Sequence, residues 1–321
     1  MKELNENKLA FLFPGQGSQY VGMGQALCNR FIVARNTFEE ASDVLHLDIA
    51  KLCFETSPSI LNRVDNALVA ILVYSVAAYR VFVGEGGPCP GFCAGHSLGE
   101  YTALTCSNAL KFEDALKIVQ FRAKLAQKSV ESNVGMMTVV EGIDYTMVEE
   151  ECYKASAPNS FVAVACYNAS KQVVISGAQK PMLEVEDVFL GLDAHVTPLF
   201  ASPPFHCALM LEESLELKSE LNKYLFSSPK CSIISNVNAL PYKECENIRE
   251  MLSRQLVEPV QWYKTMKYLT DKSVVLTVEI GPKNVLTNLI KSIEPNINAF
   301  FFEQRGGIQN LVNSILMIVG V

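Results

Sequence analysis

The pentapeptide Gly95-His96-Ser97-Leu98-Gly99 is the feature that most constrains this chain. It fits the pattern Gly-x-Ser-x-Gly, in which a strand turns sharply into a helix and the turn projects the serine hydroxyl. The two glycines are needed because side chains at their positions would collide within the turn. An apolar stretch, Gly91–Ala94, precedes the motif, and a stretch of helix-forming residues, Leu98–Leu104, follows it. The sequence therefore predicts a strand–turn–helix unit that exposes Ser97 as a nucleophile.

Strands and helices alternate along most of the chain. Lys8–Phe13 and Val274–Ile280 are apolar runs that each stop at a loop containing glycine and proline, so both predict buried strands. The remaining pattern predicts a strand over Ser232–Val237 and helices over Phe31–Leu45, Ala67–Tyr79, Phe112–Val130, Cys207–Leu225, Ile248–Leu256 and Trp262–Leu269, with another beginning near Val285. Such alternation implies a mainly parallel sheet that is covered by helices on both faces.

The middle of the chain has a different rhythm. Strands are predicted over Gly135–Gly142, Phe161–Asn168, Gln172–Gly177 and His195–Phe200, and helices over Tyr145–Ser156 and Met182–Leu192. Their order, β-α-β-β-α-β, is that of a ferredoxin-like unit. We therefore expect a ferredoxin-like small subdomain over residues 131–198, inserted into a large α/β domain that is made of residues 1–130 and 199–321.

Composition and charge narrow the class of protein. A chain of 321 residues with 49% apolar and 19% charged residues is typical of a globular enzyme with one large or two modest domains. Its net charge of −7 argues against nucleic-acid binding, which needs a basic surface. The ten cysteines lack the paired short spacings of a metal site, so we expect buried free thiols in a reducing compartment and no bound metal.

Targeting and membrane segments are not expected. The N-terminal residues Met1–Glu6 are polar and include acids, unlike a signal or transit peptide. The longest apolar run, Ala67–Tyr79, is too short to span a bilayer and predicts a buried helix instead, and the run Ile315–Val321 is shorter still. We therefore expect a cytoplasmic protein that does not act at a membrane.

A serine nucleophile needs a base to take its proton, and histidine is the usual one. The chain has four histidines. His46 precedes the predicted sheet, and His195 lies inside a predicted strand. His96 is expected to point away from Ser97, its neighbour on the turn. His206 follows two prolines in a loop where the chain returns to the large domain, so we expect His206 to be the base.

Attack on a carbonyl group creates an oxyanion, which backbone N–H groups must stabilise. Leu98, the residue after the nucleophile, is expected to supply one of them. The glycine-rich segment Phe13–Gly17 is expected to supply a second, because it follows a strand and its glycines let the backbone approach a ligand closely. It lacks the Gly-Lys-Ser/Thr ending of a phosphate-binding loop, which argues against a nucleotide site.

Several motifs together resemble the malonyl-CoA:acyl-carrier-protein transacylases, a family that includes fatty-acid-synthesis enzymes and the acyltransferases of polyketide synthases. They lie between residues 8 and 295 and read Phe13-Pro14-Gly15-Gln16-Gly17-Ser18-Gln19, Gly95-His96-Ser97-Leu98-Gly99-Glu100-Tyr101, Gln172-Val173-Val174-Ile175-Ser176-Gly177, Pro204-Phe205-His206, Pro259-Val260-Gln261-Trp262 and Glu279-Ile280-Gly281-Pro282. The resemblance implies an α/β-hydrolase-like large domain with a ferredoxin-like insert. It also implies a free-standing S-malonyltransferase that works by a ping-pong mechanism through an acyl-serine.

The resemblance assigns catalytic roles to five residues. Ser97 would be the acylated nucleophile, and His206 would be the general base and acid. Gln16 and Leu98 would form the oxyanion hole through their backbone N–H groups. The main-chain carbonyl of Gln255 would orient the histidine, a task that an aspartate performs in other triads.

Two further residues would set the substrate. Arg122 stands where the family holds the free carboxylate of the substrate, and a guanidinium can grip a carboxylate through two parallel hydrogen bonds. Phe205 resembles the bulky residue of malonyl-selective members, which crowds out an α-methyl branch. A methyl group is worth about 1–3 kcal/mol of discrimination, so we expect incomplete selectivity.

The resemblance names the substrates and leaves two alternatives open. The substrates would be malonyl-CoA and the phosphopantetheine thiol of an acyl carrier protein, used by a monomer with no bound cofactor, in fatty-acid or in polyketide synthesis. One alternative is a hydrolase of the same fold that clears stalled acyl groups from carrier proteins, and the presence of Arg122 favours transfer over it. The other alternative is a non-catalytic module that docks carrier proteins.

Overall fold

The structure, a computed structural model, describes residues 6–158, 160–200, 202–245 and 247–320. The strands in these ranges are β1 (Leu9–Phe13), β2 (Phe92–Gly95), β3 (Met136–Glu141), β4 (Val162–Ala169), β5 (Gln172–Gly177), β6 (His195–Pro198), β7 (Ser232–Ile234), β8 (Leu276–Glu279) and β9 (Asn298–Phe301). They form a five-stranded sheet in the order β7-β2-β1-β8-β9 and a four-stranded sheet in the order β4-β5-β3-β6. The expectation about a targeting peptide falls on Met1–Asn5, which lie outside the described residues.

Helices account for most of the rest of the described chain. They are α1 (Gln25–Arg30), α2 (Ile32–Leu45), α3 (Ile49–Phe54), α4 (Pro58–Leu61), α5 (Val64–Gly84), α6 (Gly99–Cys106), α7 (Phe112–Glu131), α8 (Tyr145–Ala155), α9 (Gln179–Gly191), α10 (Leu211–Leu221), α11 (Asn247–Arg254), α12 (Trp262–Asp271), α13 (Val285–Ile293) and α14 (Gly307–Val319). Short 3-10 turns lie at Glu6–Lys8 and Ala208–Met210.

The five-stranded sheet is parallel throughout, which confirms the parallel sheet predicted from the alternation of strands and helices. Strands β1 and β2 are buried along their whole length, as expected for strands that helices cover on both faces. Their register pairs Phe13 with Gly95, so the two strands end at the same level. Since ligands of parallel sheets bind beyond the carboxyl ends of the strands, the loops after β1 and β2 are placed to form a site.

The four-stranded sheet is antiparallel and carries its own apolar cluster. Its elements follow the order β3-α8-β4-β5-α9-β6. Val140, Ile175 and Phe189 lie at the centre of the cluster, and each is fully buried. The segment before α12 packs on the edge of this sheet, because the N–H of Val260 donates to Ala165 O at 2.8 Å and its carbonyl accepts from the N–H of Tyr167 at 2.9 Å. The chain therefore has a mixed α/β fold with a parallel sheet and a separate antiparallel sheet.

Several predicted elements are shorter than expected, and one helix and one strand serve as examples. The predicted helix Cys207–Leu225 is a 3-10 turn followed by α10, which ends at Leu221. The predicted strand Ser232–Val237 ends at Ile234, because the next residues leave the ladder and turn toward the loop after β2.

Strand β9 and helix α14 were not predicted. Strand β9 is an edge strand whose first residue is exposed and whose other three are half-buried, so it lacks the continuous apolar run of β1. The sequence predicted no helix at the apolar run Ile315–Val321. The buried residues of α14 recur at helical spacing from Ile308 onward. The period, and not the length of the run, was the informative signal.

Helix α5 corrects the expectation drawn from the apolar run Ala67–Tyr79. With 21 residues it extends beyond that run at both ends. It is the one helix in the described ranges that is long and apolar enough, by length and composition, to cross a membrane. In the structure 78% of its most apolar window is buried, and it packs against α2 and α7. A buried core helix passes the same test of length and composition.

None of the ten cysteines, all of which lie in the described ranges, forms a disulfide bond. Seven of the ten are buried, Cys231 and Cys245 are half-buried, and Cys89 is exposed, so the expectation of buried thiols is wrong for Cys89. Within the described residues, no group of three or more His, Cys, Asp and Glu side chains could hold a metal ion.

Candidate active site

Ser97 lies on the turn between β2 and α6, as the Gly-x-Ser-x-Gly pattern predicts. Its φ of 51° is in the left-handed region, which is strained for a serine and projects its side chain out of the turn. The turn packs closely on β1. A Cβ atom at Gly99 would lie 1.9 Å from the carbonyl oxygen of Phe13, and one at Gly95 would lie 1.9 Å from the carbonyl carbon of Gly99. Only glycine fits at these two positions.

His206 is brought to Ser97 from the loop before α10. Its Nε2 lies 2.8 Å from Ser97 Oγ, and its Nδ1 lies 2.6 Å from the carbonyl oxygen of Gln255. A carbonyl oxygen only accepts hydrogen bonds, so Nδ1 carries the proton and the lone pair of Nε2 faces the serine. The backbone N–H of His206 donates to Leu256 O at 2.8 Å, which holds the residue at a φ of 62°.

The other histidines are elsewhere. His96 shares the turn with Ser97 but its Nε2 lies 2.9 Å from Asn168 Oδ1, at the antiparallel sheet. His46 ends α2, and His195 is an exposed residue at the start of β6. Of the four histidines, only His206 contacts the serine hydroxyl.

His206 is uncharged at neutral pH. Burial and the neighbouring positive charge of Arg122 lower the pKa of its imidazole to about 3, although the hydrogen bond to Gln255 opposes the shift. A neutral imidazole can take a proton from Ser97 without first losing one of its own. This is the state that a general base requires.

Arg122 is the buried cation of the site. It lies on α7, it is 1% exposed, and its Nη2 donates to Ser97 Oγ at 3.3 Å. Its guanidinium lies over the rings of Phe205 at 4.7 Å and Tyr101 at 5.7 Å. Burial lowers the pKa of the guanidinium. Among the described residues its Nε and Nη1 have no hydrogen-bond partner and the side chain forms no ion pair. A buried cation with two free N–H groups is built to receive an anion.

The loop after β1 approaches the serine turn from the side. A Cβ atom at Gly15 would lie 2.6 Å from the carbonyl oxygen of His96 and 3.7 Å from the amide nitrogen of Leu98, so the two loops touch. Within the described ranges, neither the N–H of Gln16 nor the N–H of Leu98 donates to a protein acceptor. Two free N–H groups on adjoining loops are the arrangement that an oxyanion needs.

Asn236 is a site residue that sequence reasoning missed. It follows β7, the neighbour of β2, and its side chain bonds to the serine turn in two places. Oδ1 accepts the N–H of Ser97 at 2.7 Å, and Nδ2 donates to the carbonyl oxygen of Gly95 at 2.6 Å. The available signal was a polar residue near the carboxyl end of the predicted strand Ser232–Val237, and the observed strand ends before it.

Two more residues, Gln255 and Glu100, make side-chain contacts or have a burial that the sequence did not predict. The side chain of Gln255 donates through Nε2 to the carbonyl oxygen of Ser97 at 3.0 Å, in addition to the contact that its main chain makes with His206. Glu100, in the first turn of α6, is fully buried behind the serine. The backbone of Ser97 is therefore held at its N–H by Asn236 and at its carbonyl by Gln255.

Taken together, the geometry provides a serine nucleophile, a neutral base oriented by a carbonyl, two free N–H groups and a buried cation. These are the parts needed to transfer an acyl group that carries a negative charge. The structure brings together Ser97, His206, Gln255, Arg122 and Phe205.

Comparisons with known proteins agree with this chemistry. A family model described as an acyl transferase domain matches residues 10–296. A malonyl CoA-acyl carrier protein transacylase of Bacillus subtilis is 41% identical over 308 residues, which are 96% of this chain and 77% of that protein. The Escherichia coli K12 protein of the same name is 36% identical over 293 residues, which are 91% of this chain and 94% of that protein.

Solved structures give the same result. FabD from Acinetobacter baumannii superposes with a TM-score of 0.93 at 36% identity and covers 97% of this chain and 99% of its own. A malonyl-transacylase solved in complex with its type II polyketide synthase acyl-carrier protein superposes with a TM-score of 0.92 at 35% identity, over 96% of this chain and 99% of that one. The site geometry, the family model and these relatives lead to one conclusion: this chain belongs to the acyl transferase domain family.

Proposed function

We propose that this protein moves a malonyl group from malonyl-CoA to the phosphopantetheine thiol of an acyl carrier protein. The observation that carries the proposal is Arg122, a buried guanidinium with free N–H groups that lies 3.3 Å from the serine hydroxyl. Malonyl differs from acetyl by a carboxylate, the group that a guanidinium binds best. The relatives named malonyl CoA-acyl carrier protein transacylase, at 36–41% identity over most of the chain, support the same substrate.

The first half-reaction would load the serine. Oγ of Ser97 attacks the thioester carbonyl carbon while its proton moves to Nε2 of His206. The N–H groups of Gln16 and Leu98 hold the resulting oxyanion. The carbon–sulfur bond then breaks, the CoA sulfur takes the proton from His206, and malonyl remains as an ester of Ser97.

The second half-reaction would reverse these steps with a new thiol. The thiol of the carrier protein gives its proton to His206 and attacks the ester carbonyl. The bond to Ser97 Oγ breaks, and the oxygen recovers the proton. No electrons are gained or lost in either half, so the proposal needs no redox cofactor, and the two proton transfers need only His206.

Phe205 would narrow the acyl pocket. Its ring is 4% exposed and lies against the guanidinium of Arg122, so it borders the space where the carbon between the two carbonyl groups of malonyl would lie. A methyl branch on that carbon would meet the ring. We therefore propose a preference for malonyl over methylmalonyl that is real but incomplete.

The finer description of the fold also belongs to this proposal. We propose that residues 131–198 form a ferredoxin-like subdomain inserted into an α/β-hydrolase-like domain of residues 1–130 and 199–321. The order β-α-β-β-α-β, the strand order β4-β5-β3-β6 and the separate apolar cluster support this division. Because one chain supplies every site residue named above, we further propose a monomer, which light scattering would test. We also propose a cytoplasmic location, since the one helix of the described ranges that is long and apolar enough to cross a membrane is mostly buried.

The decisive experiment is an intact mass measurement after incubation with malonyl-CoA. We expect wild-type protein to gain one malonyl group, the Ser97→Ala variant to gain none, and added holo acyl carrier protein to remove the group and appear as malonyl carrier protein. The apo carrier protein, which lacks the phosphopantetheine thiol, is the matched control and should leave the adduct in place.

The other outcomes identify the alternatives. Rapid release of free malonate in the absence of carrier protein would indicate the hydrolase, because water would then be the acceptor. No adduct and no release, with carrier protein still bound, would indicate the docking module. A malonyl adduct on Ser97→Ala would show that the nucleophile is a different residue.

A further inference from the structure

We propose that Glu100 is a positioning residue for acyl transfer, which acts through Gln255 and Asn236 on the serine and histidine of the site. The inference rests on the proposed function, because it assigns Glu100 a part in the same reaction. Glu100 touches neither Ser97 Oγ nor the ring of His206 in the hydrogen bonds of the described residues. Its effect would therefore be indirect.

The carboxylate of Glu100 joins the two residues that hold the serine backbone. Oε1 accepts the backbone N–H of Asn236 at 3.2 Å and the hydroxyl of Tyr242 at 2.5 Å. Oε2 accepts Nε2 of Gln255 at 2.5 Å. Gln255 and Asn236 in turn bond to the carbonyl and the N–H of Ser97. One side chain thus connects both anchors of a strained residue.

The orientation of the Gln255 amide depends on Glu100. Nε2 lies within hydrogen-bond distance of three acceptors, Glu100 Oε2, the carbonyl oxygen of Ser97 and Asn236 Oδ1, whereas Oε1 is buried with no partner among the described residues. A flipped amide would bring its oxygen against those acceptors. The observed orientation leaves the amide oxygen of Gln255 without a partner, but it lets Nε2 donate to Glu100 and to Ser97.

Gln255 also links Glu100 to His206, the base of the proposed reaction. The main-chain carbonyl of Gln255 holds Nδ1 of His206, and the next carbonyl, of Leu256, holds its backbone N–H. Fixing the side chain of Gln255 on Glu100 therefore also limits where this carbonyl can lie. A histidine that is misdirected by even a small amount loses much of its efficiency as a base.

A buried carboxylate at this position needs a reason. Glu100 lies in α6, a helix whose residues are all buried, and it has no ion pair among the described residues. Burial raises the pKa of its carboxyl to about 7, while the hydrogen bonds from Tyr242 and Gln255 and the start of the helix favour its charged form. The hydrogen bonds that offset its burial are the same ones that tie Glu100 to the residues around Ser97.

The test measures the acylation of Ser97 in a single turnover, with the rate at saturating malonyl-CoA and the half-saturating concentration as separate readouts. We expect Glu100→Gln to lower the saturating rate by about 10- to 100-fold, the loss typical of removing a partner behind a reactive group. The half-saturating concentration should change by less than about 2-fold, because Arg122 is untouched.

Glu279 offers a matched control. It is also a fully buried carboxylate, and it accepts the N–H groups of Leu286 at 3.0 Å and Thr287 at 2.7 Å at the start of α13. Glu279→Gln should destabilise the fold and leave the saturating rate within about 2-fold of wild type when both are folded. A Glu100→Gln protein that behaves like Glu279→Gln would overturn the proposal.

A double-mutant cycle tests the route. Gln255→Met removes the amide and keeps the main-chain carbonyl. If Glu100 acts through Gln255, the double variant should acylate no more than about 2-fold more slowly than the slower single variant. Losses that multiply would show that the two residues act independently and would overturn the proposed route.

Two further measurements keep the inference decidable. If Glu100→Gln does not fold, Tyr242→Phe removes one hydrogen bond to the carboxylate, and a fall of about 2- to 10-fold in the saturating rate supports positioning whereas the wild-type rate overturns it. If wild-type protein takes no malonyl, the proposed function fails. The rate at which Ser97 reacts with a sulfonyl fluoride, with loss of fluoride, is then measured in place of the acylation rate. A slower reaction of Glu100→Gln than of wild type supports positioning, and an equal rate overturns it.

Discussion

Nη2 of Arg122 lies 3.3 Å from Oγ of Ser97, so the cation and the nucleophile share one hydrogen bond in the described site. This contact places the positive charge beside the atom that would attack the substrate. An acyl group with a distal carboxylate can bridge the two positions. The distance therefore links the chemistry of the reaction to the choice of substrate.

Removing the guanidinium should change the substrate preference. We expect Arg122→Ala to lower kcat/KM for malonyl-CoA by about 10- to 100-fold, since hydrogen bonds between charged groups are worth about 1.5–3 kcal/mol. The value for acetyl-CoA, which has no carboxylate, should change much less. Arg122→Lys keeps the charge but not the paired donors. Its kcat/KM for malonyl-CoA should lie between the values of the wild type and of Arg122→Ala. Equal losses for the two acyl donors would contradict the assigned role.

The protonation of His206 should respond to the same charge. Burial and Arg122 both disfavour the imidazolium and hold the pKa of His206 at about 3, so its ring should stay neutral as the pH falls through 6.5. Arg122→Met removes one of the causes that lower the pKa of His206, and that pKa should move up toward 6.5. Nitrogen NMR of labelled histidines, assigned with a His206→Gln variant, measures this directly. A wild-type ring that titrates near 6.5 would be inconsistent with the described burial.

Shortening Phe205 should admit branched acyl groups. We expect Phe205→Leu to raise the ratio of methylmalonyl to malonyl transfer by about 10-fold, because the ring borders the pocket and a methyl group is worth about 1–3 kcal/mol. Malonyl transfer itself should weaken somewhat, since the guanidinium loses the ring that it packs against. Competition between the two CoA esters gives the ratio, with Phe205→Tyr as the size-matched control. An unchanged ratio would place the selectivity elsewhere.

Asn236 should be needed to hold the serine turn. In Asn236→Asp the second oxygen would replace Nδ2, which now lies 2.6 Å from the carbonyl oxygen of Gly95, and the two acceptors would repel each other. We expect a loss of about 1–3 kcal/mol in the free energy of unfolding and slower acylation. The control is Asn238→Asp, an exposed position whose oxygen accepts the N–H of Leu240 and would still do so. A stable, fully active Asn236→Asp protein would be evidence against the clamp.

Glu279 should make stability depend on pH. Burial raises the pKa of its carboxyl from 4.5 to about 7, against the hydrogen bonds from Leu286 and Thr287. The folded state therefore binds its proton more tightly than the unfolded state, so this contribution to stability is complete below pH 4.5 and declines as the pH rises to about 7. Relative to Glu279→Gln, wild-type protein should lose free energy of unfolding across this window and stay level above it. Urea titrations at several pH values measure the difference.

Local features of the site could be read from the sequence, and features set by distant neighbours could not. The turn at Ser97 needs glycine on both sides, so the motif alone predicted it. The loop position of His206 was found by eliminating three other histidines. Asn236 escaped notice because its role depends on β7 lying beside β2, a strand order that the sequence does not state. Glu100 was visible in its motif, but its partners come from two distant segments of the chain.

The fold showed the same division. Buried strands and helices with a clear apolar period, such as β1 and α7, were predicted closely. The half-buried edge strand β9 and the early end of β7 were not, because tertiary contacts decided them. The early end of β7 lets Asn236 bond to the turn at Ser97, and the composition of the strand does not indicate that contact.

The solitary charge of Arg122 also has a consequence for how the chain folds. A buried ion that forms no ion pair opposes folding by several kcal/mol, and Arg122 forms none in the described site, where the attraction of the Glu100 carboxyl opposes only part of the effect of burial on its pKa. A neutral residue of similar size should therefore make the protein harder to unfold and less able to choose its substrate. At this position a more stable protein and a more selective site therefore require different residues, and Arg122 is the residue that favours substrate selection.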